Sequence, residues 1–130
     1  CGPQERDITT KIIEEAQVPC LNLAGETDTE ALAAVAKQCQ VFICPDSSPA
    51  HLAAISGVPT LDIFALKSDF PNRWKAVGAP VVVIRPTTWK CQRICCKEKC
   101  PDFSCYKQID GQQIVEGVKQ LLQSDIQTES

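Results

Sequence analysis

Short apolar runs, set between stretches of helical spacing, constrain the fold of this chain more than any other feature. Val41-Phe42-Ile43-Cys44 and Val81-Val82-Val83-Ile84 are apolar at every position, and Pro59-Thr60-Leu61-Asp62-Ile63-Phe64 nearly so. Strands that do not alternate polar with apolar are buried on both faces, the pattern of a parallel sheet covered by helices. Cys20-Leu21-Asn22-Leu23-Ala24-Gly25 reads as a further short strand closed by its glycine. Between these runs the apolar residues recur at helical spacing: Ile8, Ile12, Ile13 and Ala16; Ala31, Leu32, Val35 and Ala36; Leu52 to Ile55; Ile114, Val115, Val118, Leu121 and Leu122. Val18-Pro19 ends the first helix, and Asp28 or Thr27 is placed to cap the second. The sequence therefore predicts an α/β fold, with strands near 20–24, 40–44, 60–64 and 81–85 mutually parallel.

The 130 residues suffice for one hydrophobic core, and the pattern is expected to form a single domain over 1–124 with a frayed polar tail over 125–130. No run approaches the ~20 apolar residues that a membrane span requires. A net charge of −3 argues against a general nucleic-acid binder. The chain holds no methionine and opens abruptly at Cys1-Gly2-Pro3, with charged residues following and no apolar leader. It reads as part of a longer protein whose first strand precedes Gly2-Pro3. Of the nine cysteines, Cys20, Cys39 and Cys44 lie in or beside apolar segments and are expected to act as small buried hydrophobes. Five more, Cys91, Cys95, Cys96, Cys100 and Cys105, crowd a segment over about 90–106. An odd count, unevenly spread and without a signal sequence, fits a reducing cytoplasmic setting better than a secreted disulfide scaffold.

The stretch richest in chemistry is Cys44-Pro45-Asp46-Ser47-Ser48-Pro49-Ala50-His51. Ligands of open α/β sheets gather outside the carboxyl ends of the strands, and this loop runs from such an end directly into a helix. Ser47 or Ser48 is placed to cap that helix, and Pro49 suits its first turn. Helix N–H groups facing the loop suit a phosphate, with His51 one turn in as a further donor and Asp46 placed to orient a hydroxyl. The same residues also fit a plain structural reading, with Asp46 bracing the loop and His51 half-buried.

Taken together, Gly2-Pro3 with Glu5, Leu23-Ala24-Gly25-Glu26-Thr27 leading to Glu30-Ala31-Leu32-Ala33, Asp46-Ser47-Ser48-Pro49-Ala50-His51-Leu52-Ala53-Ala54, Gly57-Val58-Pro59-Thr60 and Phe64 resemble one family. It is the C-terminal half of the family 9 glycosyltransferases, the heptosyltransferases of lipopolysaccharide core assembly. The resemblance implies a GT-B fold, two Rossmann-like domains across a cleft, of which this chain is the nucleotide-sugar donor-binding one. It implies ADP-heptose as donor and a lipid-linked acceptor. Asp46, Ser47, Ser48 and His51 would line the donor diphosphate and sugar, Glu5 the ribose, and Leu23, Ala24 and Gly25 the base. The chemistry implied is inverting transfer, with the catalytic base in an N-terminal domain ahead of residue 1, so the chain by itself is not a complete transferase. Two departures stand out: Ser48 where the family has glycine, and Phe64-Ala65-Leu66-Lys67 where it has Phe-Gly-x-Thr. Both favour the alternative of a non-catalytic nucleotide-sugar-binding module.

The spacing Cys91-x3-Cys95-Cys96-x3-Cys100-x4-Cys105 offers enough thiolates for tetrahedral zinc, but not in the usual paired form. No metal or other cofactor is expected, and a zinc-stabilised interaction domain is the remaining alternative. Arg85, Lys90, Arg93, Lys97, Lys99 and Lys107 make this segment basic, suited to an anionic lipid acceptor or the inner-membrane surface, or simply to solvent.

Overall fold

The expected alternation of strands and helices is realised around a parallel sheet. The computed structural model describes residues 2–66, 68–87, 100 and 103–126, with the backbone alone at 125 and 126. The backbone groups into two compact units, residues 1–35 and 36–130.

In the first unit, a 3-10 turn Pro3–Glu5 leads into α1 (Arg6–Ala16), which ends at Gln17 in the left-handed conformation. Helix α2 (Thr29–Ala36) begins where Asp28 Oδ1 accepts the Ala31 N–H at 2.8 Å, which settles the cap on Asp28. The strand expected near 20–24 is not formed. Its residues pair with no strand among those described; instead Asn22 accepts the Ala24 N–H and donates to Thr10 Oγ1 and the Arg6 carbonyl. An asparagine that satisfies nearby backbone groups competes directly with a β-ladder.

The second unit holds β1 (Phe42–Pro45), α3 (Ser48–Ile55), β2 (Thr60–Ile63), the single turn α4 (Pro71–Trp74), β3 (Val81–Ile84) and α5 (Gly111–Ile126). Its three strands are parallel in the order β1-β2-β3, in register at Cys44, Asp62 and Val83. Strand residues alternate between two cores. On one face Phe42, Cys44 and Val81 pack with Ala50, Ala54 and Ala76, and Phe42 also meets Ala36, Ala53 and Val58. On the other face Leu61, Ile63, Val82 and Ile84 meet Ile114, Val118 and Leu121 of α5. Helix α5 continues to Ile126, past the expected start of the polar tail; the Ser124 hydroxyl bonds the Leu121 and Gln120 carbonyls and so stays compatible with helix. Of the three scattered cysteines in apolar surroundings only Cys44 is buried; Cys20 and Cys39 are exposed, in a loop and in the turn after α2.

The close fit of α5 on the sheet depends on Gly117, where a Cβ would stand 2.7 Å from Leu61 Cδ1 and 3.3 Å from Ile84 Cδ1 and Val82 Cγ1. Gly117→Ala gains about 1 kcal/mol of helix propensity but overpacks a buried leucine at about 1–3 kcal/mol. The net expectation is a loss of about 1 kcal/mol, readable as a lowered urea midpoint with unchanged slope.

Candidate functional site

At the carboxyl end of β1 lie Asp46 and the turn into α3, and beyond the end of β3 lies Arg85. The ladder extends beyond the strands through Asp46 N–H to the Ile63 carbonyl (3.1 Å) and Phe64 N–H to the Ile84 carbonyl (2.9 Å). The turn into α3 is thereby anchored to the sheet before the helix begins. Asp46 and Ser48 are exposed, Ser47 and His51 partly so, and Ala50, Ala53 and Ala54 press the inner side of α3 against β1 and β2.

Ser47 occupies the N-cap position with extended backbone, but neither expected serine cap is built by its side chain. Its hydroxyl donates to the Pro45 carbonyl at 2.8 Å and lies 3.1 Å from Cys44 Sγ. The Ala50 N–H turns back to the Ser47 carbonyl at 3.0 Å. Pro49 has no N–H, so of the first-turn donors Ser48 presents its own toward the loop side. The Ser47 hydroxyl is thus turned away from the first turn of α3, whose N-terminal end carries the positive pole of the helix dipole, a favourable place for an anion. Burial pushes the Cys44 thiol up, against the lowering effect of the Ser47 hydroxyl, so it remains a neutral apolar filler under this turn.

Beside the turn, Asp62 on β2 is completely buried, with Oδ2 accepting the Ala76 N–H at 3.3 Å and Oδ1 without a partner. Burial raises its carboxyl above the ordinary range; the Ala76 N–H opposes this, Asp46 adds to it, and His51 opposes it. Asp62 therefore lies within electrostatic reach of both expected site residues. Its motif-free setting gives it no site role from sequence, although a carboxylate inside a buried-type strand is a visible signal.

The segment after β2 adds a group of residues that spacing did not suggest. Leu66 and Asp69 form a reciprocal turn, each N–H bonded to the other residue at 3.1 Å, and Arg85 at the end of β3 donates to the Asp69 carbonyl at 3.1 Å. This turn delivers Phe70 and α4 to the strand ends. There a groove of about 470 Å³ is lined by Asp46, Ser68, Asp69, Phe70, Arg73 and Trp74.

Glu5, Leu23, Ala24 and Gly25 lie in the other unit, where they form a local set. Glu5 Oε2 accepts the Gly2 N–H at 2.6 Å, and Gly25, at φ +78°, stands so close to Pro3 that a Cβ would meet Pro3 Cα at 2.8 Å. Arg6, which sequence reasoning passed over, joins them by donating to the Ala24 carbonyl at 3.1 Å and pairing with Glu26. The cysteine segment lies largely outside the described residues, as do most of its basic residues. Of the five cysteines only Cys100 and Cys105 are described. Among the described residues no three His, Cys, Asp or Glu side chains are placed to hold a metal ion, and no helix is long and apolar enough to cross a membrane.

A parallel α/β sheet with a polar strand-to-helix turn and a groove at its carboxyl edge has the architecture of the open-sheet α/β class, in which such an edge is the usual place for a ligand. Comparison with known proteins makes the assignment specific: the chain belongs to glycosyltransferase family 9 (heptosyltransferase), whose model matches residues 1–102. It is 28% identical over 127 residues to lipooligosaccharide heptosyltransferase 2 of Campylobacter jejuni subsp. jejuni serotype O:2, covering 95% of this chain and 39% of that protein. It is 32% identical over 62 residues to lipopolysaccharide core heptosyltransferase OpsX of Haemophilus influenzae, over 48% of this chain and 18% of that one. The fold matches a crystal structure of a family 9 glycosyl transferase from Veillonella parvula DSM 2008 with a TM-score of 0.75 at 19% identity, over 95% of this chain and 35% of that one. The chain thus spans well under half the length of these relatives.

Proposed function

We propose that this chain is the nucleotide-sugar donor-binding part of a glycosyltransferase that transfers a heptose to a lipopolysaccharide-core acceptor. The observation that carries the reading is the Asp46-to-His51 turn, anchored at the strand ends and leading into a helix from whose first turn the Ser47 hydroxyl is turned away. In this reading the Ser48 N–H and the His51 side chain meet the donor diphosphate, and Asp46 orients a sugar hydroxyl. In the transfer, an acceptor hydroxyl displaces the nucleoside diphosphate with inversion. The helix end and His51 stabilise the charge that builds on the leaving phosphate, while a base elsewhere in the longer protein takes the hydroxyl proton. Glu5 and Leu23 to Gly25 carry their assignment to the nucleoside by family resemblance alone. ADP-heptose as donor, a lipid-linked acceptor and a cytoplasmic setting belong to the same proposal, supported by the family and by the relatives' names.

The test is titration of the 130-residue chain with ADP, followed by calorimetry or NMR. A charge-assisted hydrogen bond contributes about 1.5–3 kcal/mol, so His51→Ala is expected to weaken ADP binding about 10- to 100-fold. Equal affinity in the two proteins would make His51 a structural histidine. Shifts confined to residues other than the Asp46–His51 turn would move the nucleotide elsewhere.

A further inference from the structure

Under the Asp46–His51 turn lies a carboxylate that the interior does not compensate. Among the described residues Asp62 is the one acidic side chain with no exposed surface. The register pairs it with Cys44, two residues before Asp46, so both side chains rise from the sheet face that Ala50 and Ala54 of α3 cover. Its Oδ2 accepts the Ala76 N–H at 3.3 Å, and Oδ1 meets no partner among the described residues. Keeping a charge there is costly, and the groups around it offer little relief. On β1 the Cys44 thiol is neutral, and the Asp46 carboxylate beyond it repels. On β3 the neighbour is Val83, and Arg85 further along donates to the Asp69 carbonyl. Lys75, beside Ala76, is exposed, and on α3 His51 supplies a favourable charge when protonated. Helix α5 covers the other face of the sheet. The Asp62 carboxyl is accordingly raised, chiefly by burial.

Asp62 thus feels the charges of Asp46 and His51, the two residues at either end of the turn, and it feels a further charge seated at that turn in the same way. An ionised Asp62 sets a negative charge beneath the positive end of the α3 dipole and opposes a phosphate there; the neutral acid leaves the dipole to the ligand. We infer that Asp62 is a buried brake on this anion site, with the diphosphate held tightly while Asp62 carries its proton and weakly once that proton is lost. The inference rests on the donor-binding reading for the anion that occupies the turn, and it adds that binding there is coupled to a proton. Linkage is reciprocal: a ligand that favours the protonated form draws a proton onto Asp62 as it binds. The penalty from position 62 is therefore absent in acid and grows as pH rises through the raised folded-state value.

Calorimetric titration of the 130-residue chain and of its Asp62→Asn variant with ADP, between about pH 5 and 9, tests this. Asparagine keeps the shape of the neutral acid and cannot ionise. ADP carries the same ionisations into both titrations, so the ratio of the two affinities reports on position 62. Expected is equal affinity at the acid end, and ADP binding about tenfold weaker in wild type than in Asp62→Asn at the alkaline end. Buffers of different ionisation enthalpy are expected to reveal proton uptake on binding in wild type in excess of that in the variant. In wild type alone, ADP is expected to move the titration midpoint of the Asp62 side-chain carboxyl, followed by carbon-13 NMR, to higher pH. A ratio of affinities that stays constant across the range, the mark of a merely structural residue, would overturn the inference, as would a carboxyl midpoint that ADP leaves unmoved. Neither of those results touches the donor-site assignment. That assignment falls if ADP binds neither protein, and the inference then falls with it.

Discussion

Gly78→Ala is expected to be the most damaging single-methyl change in this protein. At φ +142° and with the chain laid against the end of α3, a Cβ at position 78 would stand 2.3 Å from the Ala54 carbonyl oxygen and 2.7 Å from its carbon. Neither is the tip of a flexible side chain. The same carbonyl accepts the Ala79 N–H at 2.9 Å and the Gly57 N–H at 3.1 Å, so moving it breaks two bonds that tie the 76–79 segment and the α3 terminus together. Backbone strain and the lost bonds amount to at least about 3 kcal/mol, a large part of the ~5–15 kcal/mol that holds a typical domain. Gly57→Ala is the matched control: its φ is +87° but its Cβ meets nothing within 4 Å, so only the conformational cost of about 1 kcal/mol applies. Urea unfolding of both variants checks the contrast, and similar midpoints would show that the close approach at Ala54 is not what position 78 is for.

Asp62→Asn is expected to stabilise the protein at neutral and alkaline pH and to do nothing in acid. The folded-state carboxyl is raised above its unfolded value by burial, with Oδ1 unpartnered. The folded protein therefore binds a proton that the unfolded chain has already released, and stability falls as pH rises from the ordinary carboxylate range through the raised folded value. Asparagine reproduces the protonated acid in shape and charge and has no proton to lose. Its advantage is therefore absent below the unfolded pKa and grows to about 1–3 kcal/mol above the folded one, the scale of desolvating an unsatisfied buried polar group. Unfolding free energies measured across pH 3 to 9 check this (the range in which a carboxyl between its ordinary and a raised value titrates). Parallel curves for the two proteins would mean that Asp62 finds a partner when the chain is folded in solution.

Both predictions concern the segment that shapes the candidate site. The Ala76 N–H meets Asp62, and Gly78 and Ala79 lock the same stretch onto α3, only a few residues beyond Phe70 to Trp74. Loosening it is expected to disturb the groove before it disturbs the Asp46–His51 turn, whose anchor is the ladder bond to Ile63.

Much of this architecture was legible from local pattern. The apolar runs at 41–44, 60–64 and 81–84 became the three parallel strands, because a run without polar alternation is stable only when both faces are covered. A cap at Thr27 or Asp28, which the structure places on Asp28, and the passage from β1 through Asp46 into α3 followed from residues adjacent in the chain. What local pattern leaves open is any choice between partners that folding alone brings together. The residues at 20–24 read as a strand, yet a strand exists only with a neighbour, and Asn22 took the backbone and α1 groups within reach instead. Ser47 stands at the cap position, yet its hydroxyl prefers the Pro45 carbonyl, an acceptor presented by the end of β1. Asp62 looked like one polar residue in a strand, and only the register that sets it between Cys44 and Val83, beneath Ala76, makes it a buried acid. Spacing along the chain thus determined which elements form and where their ends meet. The tertiary structure decided which hydroxyls, carboxylates and rings face the groove, because hydrogen bonds and burial are settled between residues far apart in sequence.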